Sequence, residues 1–451
     1  MTVDPDDDRT RTAGARGRGS AGEAPLTVLR WVTPSINGLT ILSKQPVLLG
    51  RDPKAATRLE TALVSRRHAE VHLESGAFVV RDLESKNGVF VNAARVTTAT
   101  LRPGDVLRLG DAVAVVEAVG PQDLAGFAEL GSGIFGGAAI RETVKQARRA
   151  ATTRLNVLLQ GETGTGKECF ARALHEWSGR SGSFVAVNSA AYSESTIAAE
   201  LFGYRKGAFT GAERASIGHV RAAHGGTLLF DEVLELPLEL QAKLLRVIEQ
   251  REVLPLGETQ PIAVDVQFVA ASQLALGDAV ATGRFRADLR SRLEGIVLEI
   301  PPLRERRADI VPLFLRLLVR HGFQRPPDLE HELVEALCLH AWPMNVRELE
   351  NIARRLSAMH GTESTLKVEH VADWLSESDG EDGDDRTALP QGRPAAPSAQ
   401  RRATSPYTPA EMQALEAALR RHGGNLTKAA EELGITRPKA YRMLRAEKTQ
   451  A

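Results

Sequence analysis

The heptapeptide Gly161-Glu-Thr-Gly-Thr-Gly-Lys167 constrains this chain more than any other feature. It follows the apolar run 156–160 and leads into a helical stretch, 168–177. In the order strand, glycine loop, helix, successive backbone N–H groups turn inward on a phosphate, and the helix N-terminus adds partial positive charge. Lys167 then reaches the β- and γ-phosphates. Gly161, Glu162, Thr163, Gly164, Thr165, Gly166, Lys167 and the following Glu168 are therefore the candidate nucleotide-binding set. The general pattern has Ser or Thr after the lysine as a Mg²⁺ ligand, and here Glu168 stands there. A glycine-rich surface turn is the plainer alternative, but it does not account for the strand before and the helix after.

Gly225-Gly-Thr-Leu-Leu-Phe-Asp231-Glu232 supplies the partner element. An apolar strand carries Asp231 to its C-terminal edge, where it holds Mg²⁺ through water, and Glu232 polarises the attacking water. Asn188 ends another strand-like run, 184–187, where an asparagine by itself reads as a cap. These runs, with 157–159 and 264–270, alternate with helical segments, which predicts an α/β domain with a parallel sheet and crossover helices. After about Ala308 the apolar spacing turns helical, which predicts a small helical lid over about 308–375.

With 451 residues the chain has room for about three domains. Lys+Arg and Asp+Glu both number 57, which excludes a uniformly basic polyanion binder and an acidic disordered chain. Cys169 and Cys338 lie far apart, against a disulfide framework or a structural zinc site. No apolar run has the roughly 20 residues of a membrane helix, and residues 1–23 lack a signal-peptide core, so a cytoplasmic protein without membrane contact is expected. Segments 1–24 and 376–406 are too polar to order themselves. With a linker at 120–131, three folded pieces remain: 25–119, 132–375 and 407–448. The first has β-rich runs at 27–32, 40–49, 69–73, 77–82, 89–91 and 106–119, spaced as in an all-β sandwich.

Gly207-Ala208-Phe209-Thr210-Gly211-Ala212, within Glu200-Leu-Phe-Gly-Tyr-Arg-Lys-Gly-Ala-Phe-Thr-Gly-Ala, resembles the signature loop of bacterial sigma-54-dependent activators. The resemblance runs over about 132–374 and includes Phe285-Arg286-Ala-Asp-Leu-Arg-Ser-Arg292-Leu293, Pro301-Pro-Leu-Arg-Glu-Arg-Arg307 and Trp342-Pro-Met-Asn-Val-Arg347-Glu-Leu-Glu-Asn351. It implies a P-loop AAA+ ATPase using ATP and Mg²⁺ and forming hexameric rings. Its signature loop contacts the sigma factor, with Phe209 and Thr210 central. Arg286 and Arg292 match arginine fingers that enter the neighbouring subunit's site, and Arg347 matches a sensor arginine that binds nucleotide in its own subunit. Asn188 matches the residue that switches Glu232, and Glu168 is the family's usual residue after the lysine. Ser272-Gln273, Met344, Arg290-Ser291 and Tyr204-Arg205 depart from the family pattern without removing a catalytic group.

In the first piece, Leu49-Gly50-Arg51, Ser65-Arg66-Arg67-His68 and Ser85-Lys-Asn87-Gly88-Val-Phe-Val-Asn92 resemble a forkhead-associated (FHA) domain. The resemblance implies phosphothreonine peptide binding by Arg51, Ser65, Arg66 and Asn87, with His68 and Asn92 bracing the loops. Lys86 and Val89 replace residues that are often Thr, and a packing module without peptide binding is the alternative. In the last piece Asn425 caps one helix, Gly434-Ile435 makes a turn and Thr436 caps the next. The all-α stretch resembles a Fis-type helix-turn-helix, which assigns DNA contact to Thr436, Arg437, Lys439, Tyr441, Arg442 and Arg445. Residues 407–451 hold eight Lys/Arg against five Asp/Glu, a local excess of three that the neutral total conceals.

Together these signals predict an ATP-hydrolysing transcriptional activator that binds enhancer DNA and remodels sigma-54 RNA polymerase. Control is expected from a Ser/Thr protein kinase. The kinase marks either a partner protein or a threonine of this chain, Thr10 and Thr404 being candidates. A homo-oligomer, dimer to hexamer, is implied. A different ring ATPase and a non-hydrolysing DNA tether are the competing classes. The loop 207–212 counts against the first, and Lys167, Asp231, Glu232, Arg286 and Arg292 count against the second.

Overall fold

The structure, a computed structural model, describes residues 25–378 apart from 37, 193, 210 and 211, together with 414, 415, 417, 418, 421, 432 and 433. Thr436, Arg437, Lys439, Tyr441, Arg442 and Arg445 lie outside the described residues, as do Thr210, Gly211, Thr10 and Thr404.

The N-terminal piece is a two-sheet sandwich. One sheet has six strands in the order Leu39–Ile41, Leu26–Trp31, Ala112–Val119, Val106–Leu109, Val89–Val91, Ala94–Val96. The other has five, in the order Thr57–Arg58, Val47–Gly50, Ala69–Glu74, Ala77–Asp82, Thr98–Leu101. Leu29, Leu49, Val71, Val80, Leu107 and Ala114 meet between them. Two of the expected runs are each two strands. Run 40–49 breaks at Ser43–Pro46, because proline cannot donate to a ladder. Run 106–119 folds into a hairpin at Gly110-Asp111, with Gly110 at φ +60°. The segment 120–131, read as a linker, carries a 3-10 turn at Pro121–Asp123 and a strand, Ala128–Gly131, paired with Ile134–Gly136.

The central piece is a five-stranded, all-parallel sheet in the order Phe184–Asn188, Thr227–Asp231, Gln267–Ser272, Val157–Gln160, Ile296–Glu299. Its strands are short and almost continuously apolar because helices cover both faces. Register brings the strand ends level: Asn188 pairs with Asp231 and Gln160 with Ser272. Ligands of open parallel sheets bind along this carboxyl edge, and the phosphate loop leaves from it.

Helices Arg307–His321, His331–Leu339 and Asn345–His360 form the lid around Phe314, Leu337, Trp342 and Leu356. Beyond the helices the lid contains a parallel pair, Asp328–Leu329 with Thr365–Leu366, too short to show as a periodicity. Trp342 is fully buried and its indole N–H donates to Leu337 O at 2.9 Å, tying the second lid helix to the turn before the third. Val32, Val106, Val113 and Val115 of the sandwich join the same buried cluster as the lid, so the two share one core.

Candidate functional site

The phosphate loop closes on itself where its glycines allow. Gly164 has φ +75°, and a Cβ there would stand 2.1 Å from Met344 O, so neither the turn nor the lid's close approach tolerates a side chain. Thr165 is buried and its hydroxyl donates to Glu162 O at 2.8 Å, which fixes the bend. Lys167 is also buried, and its ammonium donates to Gly161 O at 2.7 Å and Glu162 O at 2.9 Å. Burial lowers the Lys167 pKa, partly offset by the charges of Asp231 and Glu232, while Arg347 lowers it further. The charges of Asp231, Glu232 and Arg347 therefore all act on Lys167.

Asp231 ends its strand, and Glu232 follows in the left-handed conformation, φ +54°, with its N–H donating to Asp231 Oδ1 at 3.1 Å. That kink swings Glu232 out of the strand line toward the loop. The two carboxylates offer hard oxygen donors, a set that suits Mg²⁺. Asn188 lies beside Asp231 in register, but its Oδ1 accepts the Ala190 N–H at 2.9 Å, the capping bond its bare sequence context suggests. Ser272 is buried and donates to Leu274 O at 2.7 Å.

The lid is latched to the loop by residues to which the sequence assigned no role. Asn345, fully buried with φ +54°, accepts the Leu303 N–H at 2.7 Å and donates to Glu162 Oε2 at 3.1 Å and Thr163 O at 3.0 Å. Arg304 adds a two-pronged ion pair to the same Glu162, holding its carboxyl below the usual range. Val346 N–H donates to Gly164 O at 3.0 Å, and the Arg347 Cβ would sit 2.9 Å from a Gly164 side chain. Arg306, buried, extends Nη2 to Thr165 O at 3.4 Å. Asn345 and Arg304 fall inside the quoted motifs, but no sequence rule says that those motifs meet.

Arg286 and Arg292 stand on or beside the short helix Ala287–Leu293. Arg286 pairs with Asp288 at 2.7 Å and Arg292 with Glu249 at 2.9 Å, with side chains 43% and 57% exposed. Neither is bonded to its own subunit's phosphate loop. Phe209 is 46% exposed at the tip of its loop, tilted on Tyr204 at 4.9 Å between ring centroids. The loop base is closed by Gly207 N–H to Ala212 O at 2.8 Å.

At the far end of the sandwich, Arg51 and Arg66 are exposed and make no ion pair among the described residues. Ser65 and Asn87 sit between them on a braced frame. Lys86 N–H donates to Ser65 Oγ at 3.2 Å, and Asn87 Nδ2 to Leu63 O at 2.7 Å. His68 is fully buried, and burial lowers its pKa. It accepts the Ser65 N–H at Nδ1, so the proton belongs on Nε2, which faces Gly88 O at 3.0 Å. Asn92 bonds Asp105 and Val106 N–H, bracing the hairpin instead of facing the open loops.

Among the described residues, His360, Glu363 and His370 hold ligand atoms within 4.8 Å of one another. His370 Nδ1 accepts the Lys367 N–H at 3.2 Å, which leaves the proton on Nε2, facing Glu363. A metal-bound imidazole donates from its other nitrogen. The trio is accordingly a hydrogen-bonded clamp on the lid.

Four family descriptions match in order along the chain. They are the FHA domain over 47–110, the sigma-54 interaction domain over 134–299, the AAA+ ATPase lid domain over 304–388 and the Fis family of bacterial regulatory proteins over 408–445. The C4-dicarboxylate transport regulatory protein DctD of Rhizobium meliloti is 36% identical over 429 residues, covering 94% of this chain and 84% of that protein. The transcriptional regulator NtrC of a Bradyrhizobium strain is 46% identical over 226 residues, 49% of this chain and 47% of that one. A crystal structure of NtrX from Brucella abortus with ADP is similar at 29% identity and a TM-score of 0.49, covering 71% of this chain and 68% of NtrX.

The chain belongs to the sigma-54-dependent transcriptional activators. It is an AAA+ ATPase that binds nucleotide, joined to an FHA phosphopeptide-binding domain and a Fis-type DNA-binding domain. No helix among the described residues is long and apolar enough to cross a membrane. Against the family pattern, Met344 places its carbonyl against Gly164 and leaves its side chain 44% exposed. Tyr204 becomes the ring on which Phe209 rests.

Proposed function

We propose that the activator works as a hexameric ring whose subunits hydrolyse ATP at shared interfaces and drive the 207–212 loop against sigma-54 RNA polymerase. The buried Lys167 closing the phosphate loop, beside the level strand ends that carry Asp231 and Asn188, supports this reading. Lys167 leaves the carbonyls of Gly161 and Glu162 for the β- and γ-phosphates, and Glu232 takes a proton from the attacking water. Asp231 is the residue that would hold Mg²⁺ through water, and the ion when bound neutralises charge between those phosphates. Arg286 and Arg292 exchange exposed ion pairs, which are worth little in water, for a neighbour's γ-phosphate. Arg347 binds nucleotide in its own subunit, and Asn188 trades its turn bond for Glu232 as the site cycles.

Phe209 and Thr210 make the sigma-54 contact, and the helix carrying Thr436, Arg437, Lys439, Tyr441, Arg442 and Arg445 reads enhancer DNA in a major groove. Arg51, Ser65, Arg66 and Asn87 receive a phosphothreonine, placed on a partner or on this chain by a Ser/Thr kinase. The test is open-complex formation with sigma-54 RNA polymerase on an enhancer-bearing template. Glu232→Gln is expected to lose hydrolysis and transcription together, and Thr210→Ala to keep hydrolysis and lose open complexes. A Thr210→Ala protein that still opens promoters would sink the mechanism.

A further inference from the structure

Arg95 reaches the phosphothreonine end of the sandwich by a contact that no spacing announces. It stands on Ala94–Val96, the outer strand of the six-stranded sheet, opposite Phe90. Its guanidinium folds back over Gly88, where a Cβ would stand 2.7 Å from Arg95 Nε and 3.2 Å from Cζ and Nη2. Gly88 has φ +76°, so the turn and the close approach both require glycine. Outer strands often carry charge that blocks pairing with a further strand. That role accounts for an exposed arginine, but it gives no reason for the side chain to lie on Gly88. Arg95 is exposed and has no ion pair among the described residues.

Gly88 is bonded into the loops assigned to the phosphate. Its N–H donates to Ser85 Oγ at 3.0 Å, and its carbonyl faces His68 Nε2 at 3.0 Å. His68 Nδ1 in turn accepts the Ser65 N–H, and the Arg51 N–H donates to Ser65 O at 3.1 Å. A Cβ on Gly50 would stand 2.1 Å from Arg66 O, which brings the other two loops together. Arg51, Ser65, Arg66, Asn87 and the guanidinium resting on Gly88 thus share one frame, and Arg95 is the member with no task in holding the phosphate. Three carboxylates at this end are committed to backbone turns: Asp52 to the Lys54 N–H, Asp82 to the Ser85 N–H and Asp111 to the Leu63 N–H. A guanidinium already held in place offers a carboxylate two parallel donors and loses little order in binding it.

We infer that Arg95 sets the class of peptide: the FHA domain takes a phosphothreonine with acidic residues beside it, the phosphate going to Arg51 and Arg66 and a carboxylate to Arg95. The inference rests on the phosphothreonine reading of Arg51, Ser65, Arg66 and Asn87. It also orders the chain's own candidates. Thr387 follows Asp379, Glu381, Asp382, Asp384 and Asp385, and Thr2 precedes Asp4, Asp6, Asp7 and Asp8. Thr404 follows Arg401 and Arg402, which meet Arg95 as like charges and count against it. All three threonines lie outside the described residues. An exposed arginine–carboxylate pair changes affinity by up to about five-fold.

The experiment sorts a phosphothreonine peptide library, randomised on both sides of the phosphothreonine, on the full chain as wild type, Arg95→Ala, Arg95→Lys and Arg51→Ala. Wild type is expected to enrich Asp and Glu at one or more positions, with acidic peptides bound about five-fold tighter than their Asn and Gln counterparts. Arg95→Ala should bind the two forms equally while keeping wild-type affinity for the amide form, which shows the frame intact. No acidic enrichment by wild type, or enrichment that survives Arg95→Ala, would overturn the inference. Should Arg95→Ala bind nothing, Arg95→Lys decides: a retained acidic preference supports the role of charge, and equal binding overturns it. A wild type that binds phosphorylated and unphosphorylated libraries alike, or an Arg51→Ala protein that binds as wild type does, rejects the phosphothreonine reading instead. Peptides of residues 1–12, 378–392 and 398–410, phosphorylated at Thr2, Thr387 and Thr404, then separate the chain's own segments from a partner. The Thr404 peptide is expected to bind weakest, and one that binds as tightly as the other two would overturn the ordering.

Discussion

At the scale of single residues, the site depends on polar side chains whose partners are fully specified. Asn345 contributes one acceptor and two donors to bonds that join three segments. Asn345→Asp keeps the shape and replaces both donors with an oxygen facing the Glu162 carboxylate at 3.1 Å. Two close carboxylates resist joint ionisation, so the new acid is protonated more readily than a free one. The expected outcome is a raised KM for ATP at pH 8 that recovers toward pH 5.5, with kcat changed less. A KM penalty that is the same at both pH values would show that Asn345 acts through shape alone. Lys167 and Glu232 were legible because a loop between strand and helix names them. Asn345 was not, since an asparagine bridging three segments leaves no periodic trace.

At the scale of elements, the first lid helix begins on a buried charge. Asp309 Oδ1 accepts the Gly137 N–H at 2.7 Å, and a Cβ on Gly137 would collide with it, so the close approach of the strap to the helix start needs a glycine there. Burial pushes the Asp309 carboxyl up to about 6, with Arg306 opposing. An acid whose folded pKa exceeds its unfolded value binds the extra proton in the folded state. Its contribution therefore favours folding at low pH and is lost as pH rises from about 4 to about 6. Thermal unfolding of the wild type should carry a fall in Tm between about pH 4 and about pH 6 that Asp309→Asn lacks. Identical pH dependence in both proteins would assign the slope elsewhere.

At the scale of the whole molecule, the candidate catalytic residues of one described chain are divided. Lys167, Asp231, Glu232 and Arg347 converge, whereas Arg286 and Arg292 face outward on ion pairs with Asp288 and Glu249. If the arginines act in a neighbour's site, Arg292→Ala should lower turnover by about a thousand-fold while leaving nucleotide binding intact. Mixing it with Lys167→Ala, itself inactive, should restore part of the activity, because some interfaces then pair a sound loop with a sound arginine. Mixed rings no more active than either variant alone would place the arginines in a structural role. At the same scale, the FHA sheet and the lid share one core that neither segment advertises by itself.

What the sequence alone determined is local and chemical. Glycines at the phosphate loop and an Asp-Glu pair ending an apolar strand declare themselves because their chemistry needs fixed spacing along the chain, whereas the arginines, serine and asparagine of the FHA loops were named by resemblance. The order of the domains was legible for the same reason. Tertiary structure alone decided which strand ends stand level, that Arg304 and Asn345 meet Glu162, and that Arg108 reaches Glu335. The three side-chain contacts join residues more than a hundred positions apart. They arise from burying apolar faces against one another, and burial sets proximity without leaving a spacing in the sequence.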